Sequence, residues 1–567
     1  MGIVKIREMM YLCNPKMNVM ARLKYNFTWK KYHRWLGLVL SVFMLVFCVS
    51  GIILNHREAF SGCEVSRKWL PASYHIKNFN NGVVKGTVVK KSAAHSLSSE
   101  NCDSVLAYGC AGVFLTDSRL STWQDFNAGL PESIDERNVR HVVKAKDGSL
   151  WCAALRDVYR YDENSHRWKK VELPGNEKRI MDVALAKDSM TVVALTRSRL
   201  FTIVPFVQYG EIVKIGKSSS ETYRVESKII PAPKKYEPKT TLFKLVWHLH
   251  SGEFFGLPGK LVVDAIALVL IVLSITGILL FILPYGIRRA KKLAAKARMK
   301  RLGKQFAWNM KWHNKIGYVT IVLTLWIAIT GMCLRLPLMV PLVLSKLPQA
   351  VGEDGNVWQD KLRAIRWDAV QGDWLVSTSE GFLRVDEDFS QAPKMLPDDE
   401  CPKLSPMGVT VWESDGKGGW IVGSFRGIYR WNPVNHKSQI LDYFTNEPCV
   451  ETSMIPISDN LICGYSEDLF DREPMVFDFA KGVEDAKGQV INILDEKDAM
   501  SDLICETAPM SLWNVALELH VGRCYSPFLG PLSDLFVFLS GLLITLVLLS
   551  GYIISHRRRK KAQARLK

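Results

Sequence analysis

Twelve histidines are present, and seven stand beside long apolar stretches: His33, His56, His248, His250, His313, His520 and His556. Four of them fall into two matched sets. KYHRWLG (Lys31–Gly37) sets His33 in the same place as KWHNKIG (Lys311–Gly317) sets His313. LHSGEFFG (Leu249–Gly256) does the same for His250 as LHVGRCYS (Leu519–Ser526) does for His520. Neutral imidazole is a common ligand for iron. Two imidazoles facing each other from different helices are what a six-coordinate haem iron needs, and haem can sit between bundle helices. Gly252 and Gly522 follow the second set by two residues, which suits close approach of a flat macrocycle to the backbone. Gly37 and Gly317 follow the first set by four, on the same helical face. For any one of these histidines, a helix-end anchor beside Trp and Lys is the plainer reading. The matched pairing is what favours ligands. His56, His248 and His556 have no matched partner and are weaker candidates; His556, beside Arg557–Arg559, reads as an anchor. The other five, His75, His95, His141, His166 and His436, show no metal spacing and read as surface or turn residues.

The elements that must hold these side chains are four apolar stretches: Leu36–Leu54, Leu261–Leu283, Ile316–Leu334 and Leu535–Ile554. Each is close to the ~20 residues that cross a bilayer as a helix. The chain carries a formal charge of +18, but the positive charge is local. Residues 1–34, 285–315 and 557–567 together are net +25, so the remainder is net −7. All three clusters flank apolar stretches, which is the positive-inside pattern and not a nucleic-acid-binding surface. It places both termini and the middle loop in the cytoplasm. The first apolar stretch lacks a small-residue cleavage site and reads as an uncleaved signal anchor.

The matched motifs belong to a duplication along the whole chain. The offset is 280 at the first set, where Gly51 also maps onto Gly331, and 270 at the second, where Asp264 maps onto Asp534. Between them, Gly148–His166 (GSLWCAALRDVYRYDENSH) aligns with Gly418–His436 (GGWIVGSFRGIYRWNPVNH), again at 270. Each unit reads helix, outer domain, helix, with both copies in the same orientation. The expected organisation is a basic cytoplasmic N-terminus (1–35), a first span (36–56) and a β domain (57–245). A second span with the LHSG motif (246–284) and a basic loop (285–315) follow. The second copy supplies a third span (316–336), a β domain (337–516), a fourth span with the LHVG motif (517–555) and a basic tail (556–567). The expected fold is thus a membrane α-helical four-helix bundle from tandem duplication, with all-β extracytoplasmic domains. Short apolar strands, often with Trp, alternate with Gly, Asp and Asn turns in the outer segments. They are β-propeller-like, with three or four blades per segment. The blades could close into one ring, or form two separate β domains. Nine cysteines are expected outside, an odd number, and no Cys-x-x-Cys occurs. Asp264 and Asp534 are costly inside a membrane, so they either pair with Arg or a haem-linked proton, or lie among the headgroups.

The HRWLG, KWHNKIG, LHSG and LHVG motifs resemble those of the PepSY-associated transmembrane helix family. These bacterial inner-membrane proteins are linked to iron uptake, and some are ferric-siderophore reductases. The resemblance covers the helices and their flanks, and implies that His33, His250, His313 and His520 hold b-type haem, two haems in all. The propeller-like outer segments depart from the small PepSY module. The expected function is transmembrane electron transfer from a cytoplasmic donor or quinol to a periplasmic acceptor, a ferric chelate, a siderophore or a protein. No Gly-x-Gly-x-x-Gly precedes a helix, so no nucleotide or flavin domain is encoded for the donor side. The alternative is a non-enzymatic, membrane-anchored propeller that binds or senses a ligand.

Overall fold

A computed structural model describes residues 15–91, 104–175, 177, 179–205, 207–208, 211–212, 223–349, 351, 354–405, 407–434, 440–449, 460–491 and 508–565. Cys13, His95, Cys102, His436 and Cys505 lie outside the described residues. The chain divides into a helical unit (Met1–Phe60, Lys239–Pro348, Trp513–Lys567) and a β unit (Ser61–Pro238, Gln349–Leu512).

The helical unit holds α1 (Pro15–Asn55), α2 (Leu242–Ser251), α3 (Gly256–Lys292), α4 (Lys296–Val319), α5 (Ile321–Cys333), α6 (Met339–Leu344), α7 (Leu512–Val521) and α8 (Ser533–Gln563). Among the described residues, three stretches are long and apolar enough to cross a membrane: Trp29–Asn55, Glu253–Lys292 and Arg523–Gln563. The expected third span is not straight. It is α4 and α5, bent by 69° at a break, and counts as a fourth span if the two are taken as one. The break falls at Thr320, whose hydroxyl donates to Ile316 O at 2.9 Å, while Thr324 donates to Thr320 O at 3.1 Å. Such back-bonding draws carbonyls away from the helical ladder and bends helices. The basic flanks also continue the helices. Thus α1 starts at Pro15, well inside the segment expected to be a separate N-terminus, and α3 and α8 run on through Lys292 and Gln563.

The LHSG and LHVG motifs are helix ends. Thr241 caps α2 by accepting from Lys244 N at 3.1 Å, and Gly252 ends it at φ 78°. Gly522 ends α7 at φ 86°. A left-handed residue after the last turn is a standard helix stop, and glycine takes it without strain. A side chain at Gly252 would also collide with the Gly259 backbone at the start of α3. These glycines make the turns that reverse the chain, and that is the physical reason for their spacing from His250 and His520.

Among the described residues the β unit contains six antiparallel sheets of three or four strands, each laid down in chain order, beside two two-stranded pairs. Their first strands are Gly86–Lys91, His141–Lys144, Ile180–Leu185, Leu362–Asp368, Val411–Ser414 and Ile462–Ser466. Five sheets have four strands and the sixth has three among the described residues. Each copy of the duplication contributes three sheets. Neighbouring sheets are joined around a closed circuit. Lys85 Nζ donates to Val139 O at 3.0 Å, and His141 Nδ1 bonds Val183 O at 2.7 Å. Arg366 then bridges Asp182 Oδ2 at 2.6 Å and Trp412 O at 2.8 Å. Thr410 donates to Ile462 O at 2.7 Å. Thr87 meets Ser466, hydroxyl to hydroxyl, at 2.6 Å and closes the circuit from sixth sheet to first.

The apolar cores follow the same plan, one between each neighbouring pair. Val143, Trp151, Ile180 and Val192 pack sheet two on three, and Val105, Phe114, Phe477 and Val483 pack sheet six on one. A strand covered on both faces should be apolar throughout. All five residues of Val192–Thr196 are buried, whereas the outermost strand Arg167–Val171 buries only Trp168 and Val171. The unit is therefore one propeller-like ring, and the two-domain alternative does not hold, because the halves share cores and hydrogen bonds. His141 is not a surface residue: it faces Asp182 at 3.3 Å inside this ring. His166 does occupy an exposed turn, at φ 50°, and His75 bonds Leu70 O at 3.1 Å. Cys63, Cys110, Cys152, Cys401 and Cys463 are free thiols, and burial pushes that of Cys401 up to about 12, which leaves it unreactive.

Candidate functional site: two facing imidazole pairs

The helical unit brings the four matched histidines together two by two. His33 on α1 faces His313 on α4, with ring centroids 6.3 Å apart and planes at 69°. His250 on α2 faces His520 on α7, at 6.1 Å and 51°. Equivalent residues of the two copies therefore meet each other. His33 precedes Ser50 on α1 by seventeen residues, and His520 rests against Ser50. At 1.5 Å per residue the two pairs are roughly 25 Å apart along the helix.

Each imidazole is held the same way. His33 Nδ1 lies 2.9 Å from Ser550 Oγ and 3.1 Å from Val547 O on α8. His520 Nδ1 lies 2.9 Å from Ser50 Oγ and 3.1 Å from Phe47 O on α1. His313 Nδ1 meets Thr276 Oγ1 on α3 at 2.9 Å, and His250 Nδ1 meets Thr330 Oγ1 on α5 at 3.0 Å. The four hydroxyls spend their own protons on carbonyls of their own helices: Ser50 on Val46 O, Thr276 on Val272 O, Thr330 on Trp326 O and Ser550 on Val547 O. Each hydroxyl is then an acceptor toward the ring, so Nδ1 carries the proton and donates. Nε2 keeps its lone pair. No described residue offers a hydrogen-bond partner to any of the four Nε2 atoms.

Glycine follows every one of these hydroxyl residues: Gly51, Gly277, Gly331 and Gly551. A Cβ at Gly331 would stand 2.8 Å from His250 Cε1, and one at Gly551 the same distance from His33 Cε1. At Gly51 it would stand 3.3 Å from His520 Cε1. The Ser/Thr-Gly dipeptide is thus a cradle: the hydroxyl orients the ring and the missing side chain leaves room for it. It occurs in every apolar stretch, twice in the last, where Ser540-Gly541 packs on Met332 and Ser550-Gly551 on His33, and that recurrence was the sequence signal for the second half of the site. Only Gly51 and Gly331 showed in the repeat alignment.

The remaining candidates are placed differently. His56 Nε2 bonds Asp264 Oδ2 at 2.6 Å, and Asn55 Nδ2 donates to Asp264 Oδ1 at 3.3 Å. Asp264 is therefore paired within the protein. Asp534 interacts with Arg335, the residue that matches Asn55 in the other copy. His248 packs beside Trp247. His556 is stacked with Tyr318 and Tyr552, with its Nδ1 3.3 Å from Tyr318 Oη. None of the three faces another imidazole among the described residues.

In each pair the ring nitrogen left without a hydrogen bond is Nε2, and the ring spacing can be compared with that of a linear two-ligand site. A metal–imidazole bond is roughly 2 Å, and two such bonds plus two ring radii put the centroids about 6 Å apart. Both pairs meet that spacing. No group of three or more His, Cys, Asp or Glu side chains is gathered for a metal among the described residues. The further ligands of an ion held by either pair would come from a cofactor that brings its own.

The PepSY-associated TM region matches this chain twice, over residues 18–283 and 281–559. The chain belongs to the PepSY-associated TM family. Both copies of the family region contain one histidine of each pair, so the imidazole pairs of this family member join copy to copy. No curated protein matches the chain. Among solved structures, it is similar to the extracellular domain of a one-component system protein from B. thetaiotaomicron, at 9% identity and a TM-score of 0.30. That match covers 72% of this chain and 39% of the other, so the chain spans about two fifths of that protein's length. The Dos1 propeller is similar at 9% identity and a TM-score of 0.26, covering 73% of this chain and 94% of that one. At such scores the sheets of this chain, not the likeness, define its architecture.

Proposed function

We propose that this PepSY-associated TM protein is a transmembrane electron carrier with two b-type haems. His33 and His313 would hold one, His250 and His520 the other. The observation that carries this reading is the two facing imidazole pairs, each ring held through Nδ1 by a Ser or Thr hydroxyl that leaves its Nε2 without a hydrogen-bond partner among the described residues. When bound, haem supplies reversible one-electron chemistry, with its potential tuned by ligand basicity and burial. The chain's own residues do the rest. Nδ1–H donation to Ser50, Thr276, Thr330 and Ser550 fixes the ligand tautomer and raises the basicity of Nε2. The bent α4–α5 pair serves as the fourth span of a four-helix bundle. Three basic flanks favour a bacterial inner membrane with cytoplasmic termini and the β ring in the periplasm. Electrons would then pass from a cytoplasmic donor or quinol, through the inner and outer sites, to a periplasmic ferric chelate, siderophore or protein. Activity as a ferric or siderophore reductase follows from that direction of flow.

A reduced-minus-oxidised spectrum of purified full-length protein tests the reading, together with haem stoichiometry. About two haems per chain are expected from haem-replete cells, lost pair by pair on substitution of the histidines. The closed six-sheet ring favours a second reading, a membrane-anchored binding or sensing module with no redox role. Colourless protein from haem-replete cells, with a folded β unit, would select it.

A further inference from the structure

A second site lies at the basic end of the helical unit, apart from the imidazole pairs. A cavity of about 570 Å³ opens between α4 and α8. Lys311 and Lys315 enter it from α4, one turn apart, and Arg558 and Arg559 from α8. Its apolar wall includes Phe306 and Met310. The neutral polar groups are already used on each other. Ser555 Oγ donates to Asn314 Oδ1 at 3.1 Å, and Asn314 Nδ2 donates to Met310 O at 2.7 Å. The four cations have no carboxylate partner among the described residues, and neither 285–315 nor 557–567 contains an acid. Two of them are steered by aromatic rings: Arg559 lies 3.9 Å over Tyr318 and Lys315 5.1 Å over Trp312.

The four residues are exposed, so water and salt screen their mutual repulsion, and an anion placed among them would gain from all four at short range. Arginine's fork and lysine's point charge suit phosphate oxygens. The apolar wall asks for a ligand with a hydrocarbon part. Trp308 and Trp312, 60% and 36% exposed on α4, mark this level as a membrane–water boundary, where aromatic side chains gather. Basic pockets between membrane helices commonly take anionic headgroups. We infer that the cavity between α4 and α8 binds a phosphate-bearing anion through Lys311, Lys315, Arg558 and Arg559. The shared chemistry is the phosphate; a lipid headgroup and a soluble phosphate are its two sources, and the apolar wall favours the lipid.

The test uses delipidated full-length protein in detergent, with adducts followed by native mass spectrometry and stability by thermal melting. The probes are short-chain phosphatidylglycerol, short-chain phosphatidylcholine and inorganic phosphate. Phosphatidylglycerol should bind and raise the melting temperature, and phosphatidylcholine should not. Lys315→Gln with Arg558→Gln should weaken phosphatidylglycerol binding roughly 30-fold, about 2 kcal/mol for two basic contacts. Lys315→Arg with Arg558→Lys should restore it, which separates lost contacts from lost folding. Arg298→Gln with Lys300→Gln removes the same charge from α4 away from the cavity, and should cost less than about 3-fold because distant exposed charges are screened. Competition by inorganic phosphate at matching concentration would assign the site to a soluble phosphate. Equal weakening by both double variants, or no preference for phosphatidylglycerol, overturns the inference. None of these outcomes depends on haem.

Discussion

At the residue scale, ligand and cradle should behave as one unit. His33→Ala, His313→Ala and Gly551→Val should each remove the same haem, and His250→Ala, His520→Ala and Gly331→Val the other. Pyridine-haemochrome stoichiometry should fall from about two to about one per chain in all six. A glycine variant that keeps both haems would show that its ring has space to move. Thr330→Val is the finer probe. It keeps helix and volume but removes the acceptor for His250 Nδ1, 3.0 Å away. Loss of such an outer partner should weaken cofactor retention by about 10- to 100-fold. The four candidate ligands were legible as repeated motifs because each histidine carries its local flank with it. The cradles lie on other helices, far away in sequence, so no local pattern joins Ser550 to His33.

At the element scale, the sequence marked the spans by apolar length but not their shape. Hydropathy is blind to the 69° bend between α4 and α5, because Thr320 and Thr324 are too few to change a twenty-residue average. The role of Gly252 and Gly522 was also hidden. Two residues after histidine suits a flat ligand or a helix stop equally well, and backbone angles decide for the stop. Gly252→Ala should therefore destabilise the protein even in haem-free preparations. A non-glycine residue held in strained backbone costs of order 1–3 kcal/mol, and the Gly259 backbone adds a clash. An unchanged melting temperature for haem-free Gly252→Ala would contradict the turn argument.

At the scale of the whole molecule, the duplication acts twice. It sets copy-one histidines against copy-two histidines, and closes three sheets from each copy into one ring. Arg366 is the clearest joint of that ring, since it touches Asp182 in sheet three and the backbone of sheet five. Arg366→Ala takes the guanidinium from the buried Asp182 carboxylate and leaves it only His141 and the Ile365 N–H, and breaking a buried pair in this way typically costs about 3–5 kcal/mol. Thermal or denaturant melts of the purified protein should show the loss in the β unit. Burial pushes the Asp182 carboxyl up, but Arg366, His141 and the Ile365 N–H outweigh it and hold it below its ordinary value. A carboxyl depressed on folding stabilises above its unfolded pKa, near 4, and that contribution is lost as pH falls through the folded value. Wild type should thus lose stability on acidification below about pH 4, and Asp182→Asn should show a shallower loss over the same range. Equal acid slopes for the two proteins would rule out Asp182 as the group responsible.

Apolar runs, basic flanks and repeated motifs are properties of neighbouring residues, and they alone determined the membrane spans, the duplication and the identity of the four candidate ligands. Strand-and-turn composition likewise marked the outer segments as β. Which imidazoles face each other, which hydroxyl fixes each tautomer, and whether six sheets make one ring or two domains depend on contacts between residues hundreds of positions apart. The energies that decide them are those of cores and hydrogen bonds formed only when both copies are folded together, so only the tertiary structure settles them.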